Sequence, residues 1–402
     1  MNLFKDLGTV EVRNEVTQEE SDLEKVLNVE LEVINKYKTD TRYSDYFRVR
    51  EMYSLLYSTV EEKTKGFCVT KKILQSYINT RDNQTEDSEA RIRGMYAAVL
   101  LEMSSKQEPN THIILDGKEK TFNYLFHYVK NANNITIQNF KGKDILKYAG
   151  LQGRISHIIC ENITGDELLF CAAQYGGIAE YITYKNSKGT DSLRFLGSNN
   201  GNGRYIVCHN LIGDGILGNT GENGRITNVI CTNITGDGTM SFAGSDTRNA
   251  EHIICTDIIG KSTLEGIGTS QKNTRYLSLK DIEGTKTLYN AGAGGRIEYL
   301  IFDHESGKHA LQIDMNYYKE TKKVKKLLRP WEISNEQKEK YLKIHKIAET
   351  IANLSFSEQK AAHEEIAELQ KQIFRNRFQN GLFAIFEKTK RLFQRKNKKG
   401  ET

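Results

Sequence analysis

Proline and tryptophan are almost absent from this chain of 402 residues, which has only Pro109, Pro330 and Trp331. No run of 18 apolar residues occurs, so the sequence predicts no transmembrane helix. The first residues, MNLFKDLGTVEVRNEV, lack the basic start and apolar core of a secretory signal. We therefore expect a chain that is neither secreted nor inserted in a membrane.

Glycine and charge are distributed unevenly, and both divide the chain into three segments. Of the 32 glycines, 27 lie between residues 111 and 318. The formal net charge is −4 for residues 1–110, −1 for residues 111–318 and +10 for residues 319–402, within a total of +5. We predict a helical N-terminal domain or cap, a central repeat domain and a basic helical C-terminal segment with these bounds.

The N-terminal segment shows helical periodicity and no recognisable chemical motif. Thr17-Gln-Glu-Glu matches a capping box, and apolar residues then recur at three- and four-residue intervals from Leu23 to Ile34. This pattern favours a structural role for the segment.

A glycine recurs every 23 or 24 residues through the central segment and marks each repeat. These marker glycines are Gly142, Gly165, Gly189, Gly213, Gly236, Gly260, Gly284 and Gly307. A constant period in the twenties is typical of a solenoid, in which each repeat forms one coil.

Two apolar columns precede the marker glycine and predict the inward face of a strand, because residues two apart on a strand point the same way. Seven residues before it stand Ile135, Ile158, Ile182, Ile206, Val229, Ile253, Leu277 and Leu300. Five residues before it stand Ile137, Cys160, Tyr184, Cys208, Cys231, Cys255, Leu279 and Phe302. A third column, of leucine with one methionine, follows the glycine by four residues.

An amide column three residues before the marker glycine predicts a sharp corner after each strand. Its members are Asn139, Asn162, Asn186, Asn210 and Asn233, continued by Asp257, Asp281 and His304. Asparagine tolerates the left-handed backbone of such a corner, and stacked amides can hydrogen-bond from coil to coil.

Short strands, one asparagine corner and this coil length resemble the right-handed parallel β-helix of the pectate-lyase superfamily. We predict a mainly β solenoid, a right-handed parallel β-helix of about eight 23–24-residue coils, flanked by an N-terminal helical domain and C-terminal amphipathic helices. A leucine-rich repeat is the alternative, since Ile226-x-x-Val229-x-Cys231 matches its first half. The β-helix is favoured because no helical pattern follows.

The resemblance implies an extracellular enzyme that cleaves glycans with carboxylates clustered on one face of adjacent coils. The outward column five residues after the marker glycine contains one carboxylate, Glu265, and the catalytic signatures of the superfamily are absent. If the chain is an enzyme, Asp166, Asp214 and Asp237, each directly after a marker glycine, are its candidates. Gly-Asp is also ordinary turn chemistry, which is the interpretation we favour, and we predict no catalytic residue.

Neither a metal site nor a cofactor site is predicted. The strings His157 to Cys160 and His252 to Cys255 place His and Cys on opposite faces of a strand, because their spacing is odd. Four cysteines lie in the inward column, where a free thiol acts as a small hydrophobe. Such thiols are typical of a reducing compartment, so we predict a cytoplasmic protein.

The C-terminal segment ends in a basic amphipathic stripe that is the best candidate for a partner or membrane surface. Its candidate residues are Phe374, Arg375, Arg377, Phe378, Lys388, Lys390, Arg391, Phe393 and Arg395. Packing on the solenoid is one interpretation, and an anionic membrane or an acidic protein groove is another. Nucleic acid is the least favoured ligand.

The sequence thus predicts a non-enzymatic scaffold that presents a rigid surface to a protein partner, with the C-terminal helix as a capping or attachment element. A glycan-binding or glycan-cleaving protein and a peripheral membrane protein are the alternatives. An oligomer formed through the solenoid ends or the C-terminal helix is also compatible with the pattern.

Overall fold

The structure is a computed structural model that describes residues 4–40, 42, 48–81, 87–243, 250–267, 273–284, 287–289, 296–302, 324–328 and 333–374. The helices in these ranges are α1 (Phe4–Tyr37), α2 (Val49–Lys63), α3 (Lys71–Thr80), α4 (Asp87–Gln107), α5 (Asn335–Thr350) and α6 (356–374), with a 3₁₀ turn at Ile351–Asn353. The strands are β1 (His112–Thr121), β2 (Asn131–Lys141), β3 (Arg154–Glu161), β4 (Ile178–Lys188), β5 (Asn202–Ile212), β6 (Arg225–Thr235), β7 (Ala250–Ile259), β8 (Asn273–Glu283), β9 (Arg296–Phe302) and β10 (Val324–Leu328).

The ten strands form one parallel sheet whose spatial order is the order of the chain. Each coil contributes one strand, and the chain winds into a parallel β-solenoid of about seven turns, slightly fewer than the eight predicted. The marker Gly307 lies outside the described residues. From β1 to β8 the described connections contain turns rather than helices, so the leucine-rich alternative is wrong.

Strand register confirms the two inward columns. Ile135 pairs with Ile158, which pairs with Ile182, and the same alignment continues to Leu300. The members of this column are at most 4% exposed. Successive coils therefore stack like residues on like, at the strand spacing of about 4.8 Å.

The asparagine corner is confirmed in both conformation and hydrogen bonding. Asn210 has φ +53° and Asn233 has φ +52°, in the left-handed region. The Nδ2 of Asn233 donates to the Oδ1 of Asn210 over 3.1 Å, and that of Asn210 donates to Asn186 over 2.9 Å. Each side-chain amide thus hydrogen-bonds to the amide of the neighbouring coil, at a bend where the backbone hydrogen bonds of the strand ladder are interrupted.

The marker glycines are required by the close approach of one coil to the next. A Cβ on Gly165 would lie 1.8 Å from the carbonyl oxygen of Gly142, and one on Gly189 would lie 1.7 Å from that of Gly165. No side chain fits in this column, because its backbones are stacked in direct contact.

Opposite the sheet, each coil from β1 to β7 has a turn segment in which every second described residue has positive φ. In the third coil these residues are Glu167, Leu169, Cys171, Ala173 and Tyr175, at φ between 50° and 58°. Their amides alternate between coils: the N–H of Leu169 donates to Ile145 of the preceding coil, and that of Cys171 donates to Arg194 of the following one. This second ladder closes the solenoid core without a second β-sheet.

Helices α1 to α4 cover the N-terminal end of the solenoid. The side-chain amide of Gln75 pairs with both the N–H and the C=O of Asp116, as a neighbouring strand would. Gly94 lies so close to the first coil that a Cβ there would be 2.0 Å from the carbonyl oxygen of Tyr124. The buried apolar cluster consequently runs without a break from the helices into the coils.

Helices α5 and α6 form a hairpin against the outer face of the sheet. A separate apolar cluster joins Val207, Ile230 and Ile254 to residues of both helices, among them Tyr341 and Ile366. These sheet residues stand between the two inward columns and point outwards, so both faces of the sheet are apolar here. The hairpin is the layer that covers the second face.

Helix α6 runs across the strands, from β3 at its start to β9 at its last described residue. Phe356 stacks on His157, Gln359 bonds to Thr183, His363 contacts Tyr205, Gln370 bonds to His252, and Phe374 contacts Tyr299. Successive contacts are thus three to seven residues apart along the helix, and together they place the helix along the solenoid axis.

A cleft between the sheet and helix α6

Aromatic rings stand on the outer face of β3, β4 and β5, where His157, Tyr181 and Tyr205 each lie eight residues before their marker glycine. His157 and Tyr181 stack with ring centroids 4.7 Å apart, and Tyr181 and Tyr205 stack at 4.5 Å and 10°. In-register parallel strands place these rings one strand spacing apart, which is also a stacking distance. The rings therefore form a continuous stack across β3, β4 and β5.

The first turns of α6 lie beside this stack and enclose a cleft of about 880 Å³. It is lined by Asn134, His157, Glu180, Tyr181, Arg204, Tyr205, Arg225, Thr227, Ser355, Phe356, Ser357, Lys360 and Glu364. The sheet wall extends from β2 to β6, which corresponds to a length of roughly 19 Å. None of these residues is aliphatic, so the cleft is polar and aromatic.

The cleft contains more free positive charge than free negative charge. Arg204, Arg225 and Lys360 are exposed and form no ion pair with any residue that the structure describes. Glu180 is paired with Arg154, which leaves Glu364 as the unpaired carboxylate of the described lining. An anion bound here would meet two guanidinium groups and one ammonium group.

Burial fixes the protonation of the aromatic wall. Burial raises the pKa of Tyr181 to about 12, so its hydroxyl remains protonated at neutral pH. Burial also lowers the pKa of His157, whose Nδ1 lies 2.5 Å from the Oδ1 of Asn134. The imidazole is therefore neutral at pH 7, and the cleft takes its positive charge from Arg204, Arg225 and Lys360.

The three aspartates singled out in the sequence do not line this cleft. Asp214 accepts the backbone N–H of Asp237 over 2.8 Å, and Asp237 accepts that of Lys261 over 2.7 Å. Asp166 accepts the N–H of Thr190 in the same way. Each carboxylate thus caps a backbone donor of the following coil, and Asp214 and Asp237 lie on adjacent coils.

The C-terminal stripe is described only at its first residue. Phe374 is 3% exposed and packs on Tyr299 at 4.6 Å and on Tyr276 at 5.7 Å. The other candidates, Arg375, Arg377, Phe378, Lys388, Lys390, Arg391, Phe393 and Arg395, lie outside the described residues. In the described part of the chain no helix is long and apolar enough to cross a membrane.

A carboxyl pair on the turn segments escaped the sequence analysis. Lys147 bonds to both Asp144 and Glu167, which lie on adjacent coils two residues after their marker glycines. Burial raises the pKa of Asp144 to about 6. Partial burial opposes ionisation of Glu167, yet hydrogen bonds from Asp144 and Lys147 lower its pKa. The signal was present: Asp144, Glu167 and Asp191 occupy this column in three consecutive coils.

The cysteines of the inward column are buried free thiols, as predicted. Burial raises the pKa of Cys160 and Cys231, and a hydrogen bond with Cys231 together with burial raises that of Cys255, so these groups remain protonated. Among the residues that the structure describes, no group of three or more His, Cys, Asp or Glu side chains is placed to bind a metal ion.

Comparisons with known proteins give this chain no relative. No family model matches it, and neither a curated protein nor a solved structure does. The parallel β-helix architecture therefore stands on the strand register alone.

Proposed function

We propose that this chain is a non-enzymatic, cytoplasmic scaffold that binds an acidic segment of a protein partner in the cleft between its sheet and α6. The observation that carries the proposal is the set of three cations in the lining, Arg204, Arg225 and Lys360, with no ion-pair partner among the described residues. Cations left unpaired in a concave site favour an anionic ligand.

The chemistry of the walls favours an acidic peptide over other anions. Nucleobases bind mainly to exposed aromatic faces, and sugar rings use the same surfaces. Here the faces of His157, Tyr181 and Tyr205 are stacked on one another, with Phe356 on the outer face of His157. Side-chain carboxylates need only the guanidinium forks, which bind them in bidentate fashion.

The dimensions fit a short extended segment. A length of roughly 19 Å takes roughly six residues of extended chain at about 3.3 Å each. Because the lining contains no aliphatic side chain, an amphipathic helix would find no pocket for its apolar anchors. The cleft therefore suits an extended acidic segment that is read by charge and hydrogen bonds.

The test is the affinity of fluorescein-labelled hexapeptides of aspartate and glutamate for the full chain, measured by anisotropy. We expect binding that weakens with added salt and is at least about tenfold weaker in Arg204→Ala/Arg225→Ala, because each charge-assisted bond contributes about 1.5–3 kcal/mol. Arg275→Ala is the matched control, since Arg275 is an exposed outer-face arginine two coils beyond Arg225 and does not line the cleft.

Equal affinity of the native protein and the double variant would contradict the proposal. Preferential binding of an acidic oligosaccharide would instead support the glycan-binding alternative, and preferential binding of an oligonucleotide would replace the protein partner with nucleic acid. Each probe is therefore run at matched charge.

A second candidate is a glycan-cleaving enzyme related to the pectate-lyase superfamily, and the carboxyl pair Asp144 and Glu167 favours it. Two carboxyl groups whose pKa values are driven apart can act as acid and base. Hydrolysis of polysaccharides by the native protein that is lost in Glu167→Gln would support this candidate. A protein with no hydrolytic activity on a broad glycan panel would remove it.

Peripheral membrane association through the C-terminal stripe remains a separate hypothesis, supported by the cationic residues around Phe393. Flotation with anionic liposomes tests it, comparing the native chain with a variant in which Lys388, Lys390 and Arg391 are changed to glutamine. Equal flotation of the two proteins would reject it.

A further inference from the structure

Three histidines are buried where the α5–α6 hairpin meets the sheet. His252 of β7 is 5% exposed and its Nδ1 lies 2.5 Å from the Oε1 of Gln370. His345 of α5 is 1% exposed, with Nδ1 2.6 Å from the Oγ1 of Thr256. His363 of α6 is 2% exposed and packs on the ring of Tyr205 at 4.9 Å.

Their ring nitrogens are incompletely satisfied. Neither nitrogen of His363 has a hydrogen-bond partner among the described residues, and the Nε2 of His345 has none either. A neutral imidazole tolerates such a site at modest cost. An imidazolium carries two N–H donors and a charge, and burying it without partners is far more costly.

The charged groups around these histidines do not compensate for that cost. Lys280 of β8 lowers the pKa of His345 and Asp281 of the same strand raises it, so their effects oppose each other. Lys280 also forms an ion pair with Glu349 of α5. Besides burial, Lys371 of α6 and Arg275 of the sheet lower the pKa of His252, whereas Glu251 of the sheet raises it. His252 in turn lowers the pKa of His363. No described carboxylate hydrogen-bonds to any of the three rings.

We propose that the α5–α6 hairpin is an acid-released cover: protonation of the histidines in its interface detaches it from the sheet and dismantles the cleft. The consequence for binding rests on the proposed function, because α6 supplies one wall of that site. The release itself does not depend on any ligand.

The direction follows from the two states of each ring. Burial lowers the pKa of both His345 and His363 to about 3 in the docked hairpin, and burial also lowers that of His252. An exposed histidine has a pKa of about 6.5, so the released hairpin binds more protons. Docking is fully favoured above that value and is lost as the pH falls towards the docked pKa.

The size of the effect is set by the same two values. Between pH 7.5 and pH 5.0, one histidine with these pKa values shifts the ratio of released to docked hairpin by about 30-fold. His345 and His363 together shift it by about 1,000-fold, and His252 adds to this shift.

The release is local because the hairpin and the coils have separate apolar clusters. The interface cluster contains outward sheet residues such as Val207 and Ile254, whereas the solenoid core contains the inward ones. Detaching α5 and α6 leaves every inward column and every strand pair in place.

Hydrogen exchange of the full chain, read by mass spectrometry at pH 7.5 and pH 5.0 and corrected for intrinsic rates, tests the proposal without ligand. We expect protection of α5 and α6 to fall by up to about 1,000-fold at the lower pH, while that of β3 to β6 is kept. In the double variant His345→Gln/His363→Phe, we expect the protection of α5 and α6 to fall only by the amount that protonation of His252 causes. Glutamine keeps the contact with Thr256, and phenylalanine loses no hydrogen bond.

His127→Phe is the matched control. His127 is also buried with both ring nitrogens unpartnered among the described residues, but it lies in the first coil, far along the chain from the hairpin. This variant should lose hairpin protection at pH 5.0 as the native protein does. If only one histidine substitution is tolerated, His363→Phe alone should reduce the fall by about 30-fold.

Hairpin protection that is unchanged at pH 5.0 would overturn the proposal, and so would simultaneous loss of protection in β3 to β6, which indicates global unfolding. Failure of acidic peptides to bind at pH 7.5 would reject the proposed cleft ligand and leave the exchange result standing. The two failures are therefore distinguishable.

Discussion

The two helical regions of this protein are attached to the solenoid in different ways. Helices α1 to α4 close its N-terminal end, where the side chain of Gln75 continues the strand ladder and the apolar core passes into the helices. Helices α5 and α6 lie on its flank and bury a second, separate apolar cluster. The first region thus belongs to the folding unit, whereas the second is a layer added to a sheet that is already complete.

The buried polar groups of the two regions differ in the same sense. In the N-terminal region, Glu30 is fully buried but bonds to Arg81, Arg93 and Tyr77. Breaking such a network leaves a buried charge and is costly. In the C-terminal interface the corresponding groups are neutral histidines, and neither ring nitrogen of His363 has a hydrogen-bond partner among the described residues. We therefore expect the N-terminal interface to stay closed as the pH falls and the C-terminal interface to be the one that responds to pH.

The largest expected effect compares two buried tyrosines in matched roles. Tyr96 and Tyr341 are both fully buried, and each donates its hydroxyl to a backbone carbonyl over 2.7 Å, of Val26 and Leu279 respectively. Replacing either with alanine costs about 3–5 kcal/mol locally. We expect Tyr96→Ala to lower the free energy of global unfolding by that amount in denaturant titrations.

Tyr341→Ala should instead loosen the hairpin. Hydrogen exchange should show reduced protection of α5 and α6, while the midpoint of the main unfolding transition moves by much less than in Tyr96→Ala. Equal shifts of the main transition in the two variants would show that the hairpin is part of the same cooperative unit, and the contrast between the regions would fail.

An intermediate effect is expected at Gly94, in the contact between α4 and the first coil. In an isolated helix, Gly→Ala is stabilising by about 1 kcal/mol. Here the new Cβ would meet the carbonyl carbon and oxygen of Tyr124, so we expect Gly94→Ala to destabilise the protein by about 1–3 kcal/mol. Circular dichroism melting measures the sign, and a stabilised variant would mean that the cap is not held tightly.

The smallest effect separates both helical regions from the coils between them. Asn210→Gly removes two amide hydrogen bonds of the corner ladder but keeps a residue suited to φ +53°, so we expect a loss of about 1 kcal/mol. Asn210→Ala should lose about 1 kcal/mol more, because alanine is strained in the left-handed region. If alanine and glycine are equal in thermal unfolding, backbone strain is not what selects asparagine here.

Much of the solenoid could be predicted because its columns are repeated. The columns of Ile135 and Cys160 are apolar because they face the core, and the column of Asn210 is polar because it forms a left-handed corner. The same requirement recurs at each coil, and the strand register, burial and corner conformation agree with it. Eight copies of one pattern give a far stronger signal than any single copy.

The covering of the outer face of the sheet was not predicted, because the segment that covers it is distant in sequence and is not part of the repeat. Val207, Ile230 and Ile254 stand directly between the inward columns and show that both faces of the sheet need cover. The sequence does not state which segment provides it. The cleft joins Arg204 to Lys360 across more than 150 residues, and only the docked hairpin brings them together.

The axial course of α6 has a consequence for how this protein can change its length. A helix turn rises about 5.4 Å and a coil about 4.8 Å, so roughly one turn of α6 matches one coil. Duplication of a coil, the natural route by which repeat proteins grow, would therefore leave one strand without its cover unless α6 gained about three residues. Because the two spacings differ by about 0.6 Å, they drift apart by more than half a coil over six repeats. One continuous helix can therefore stay in step with only a limited number of coils.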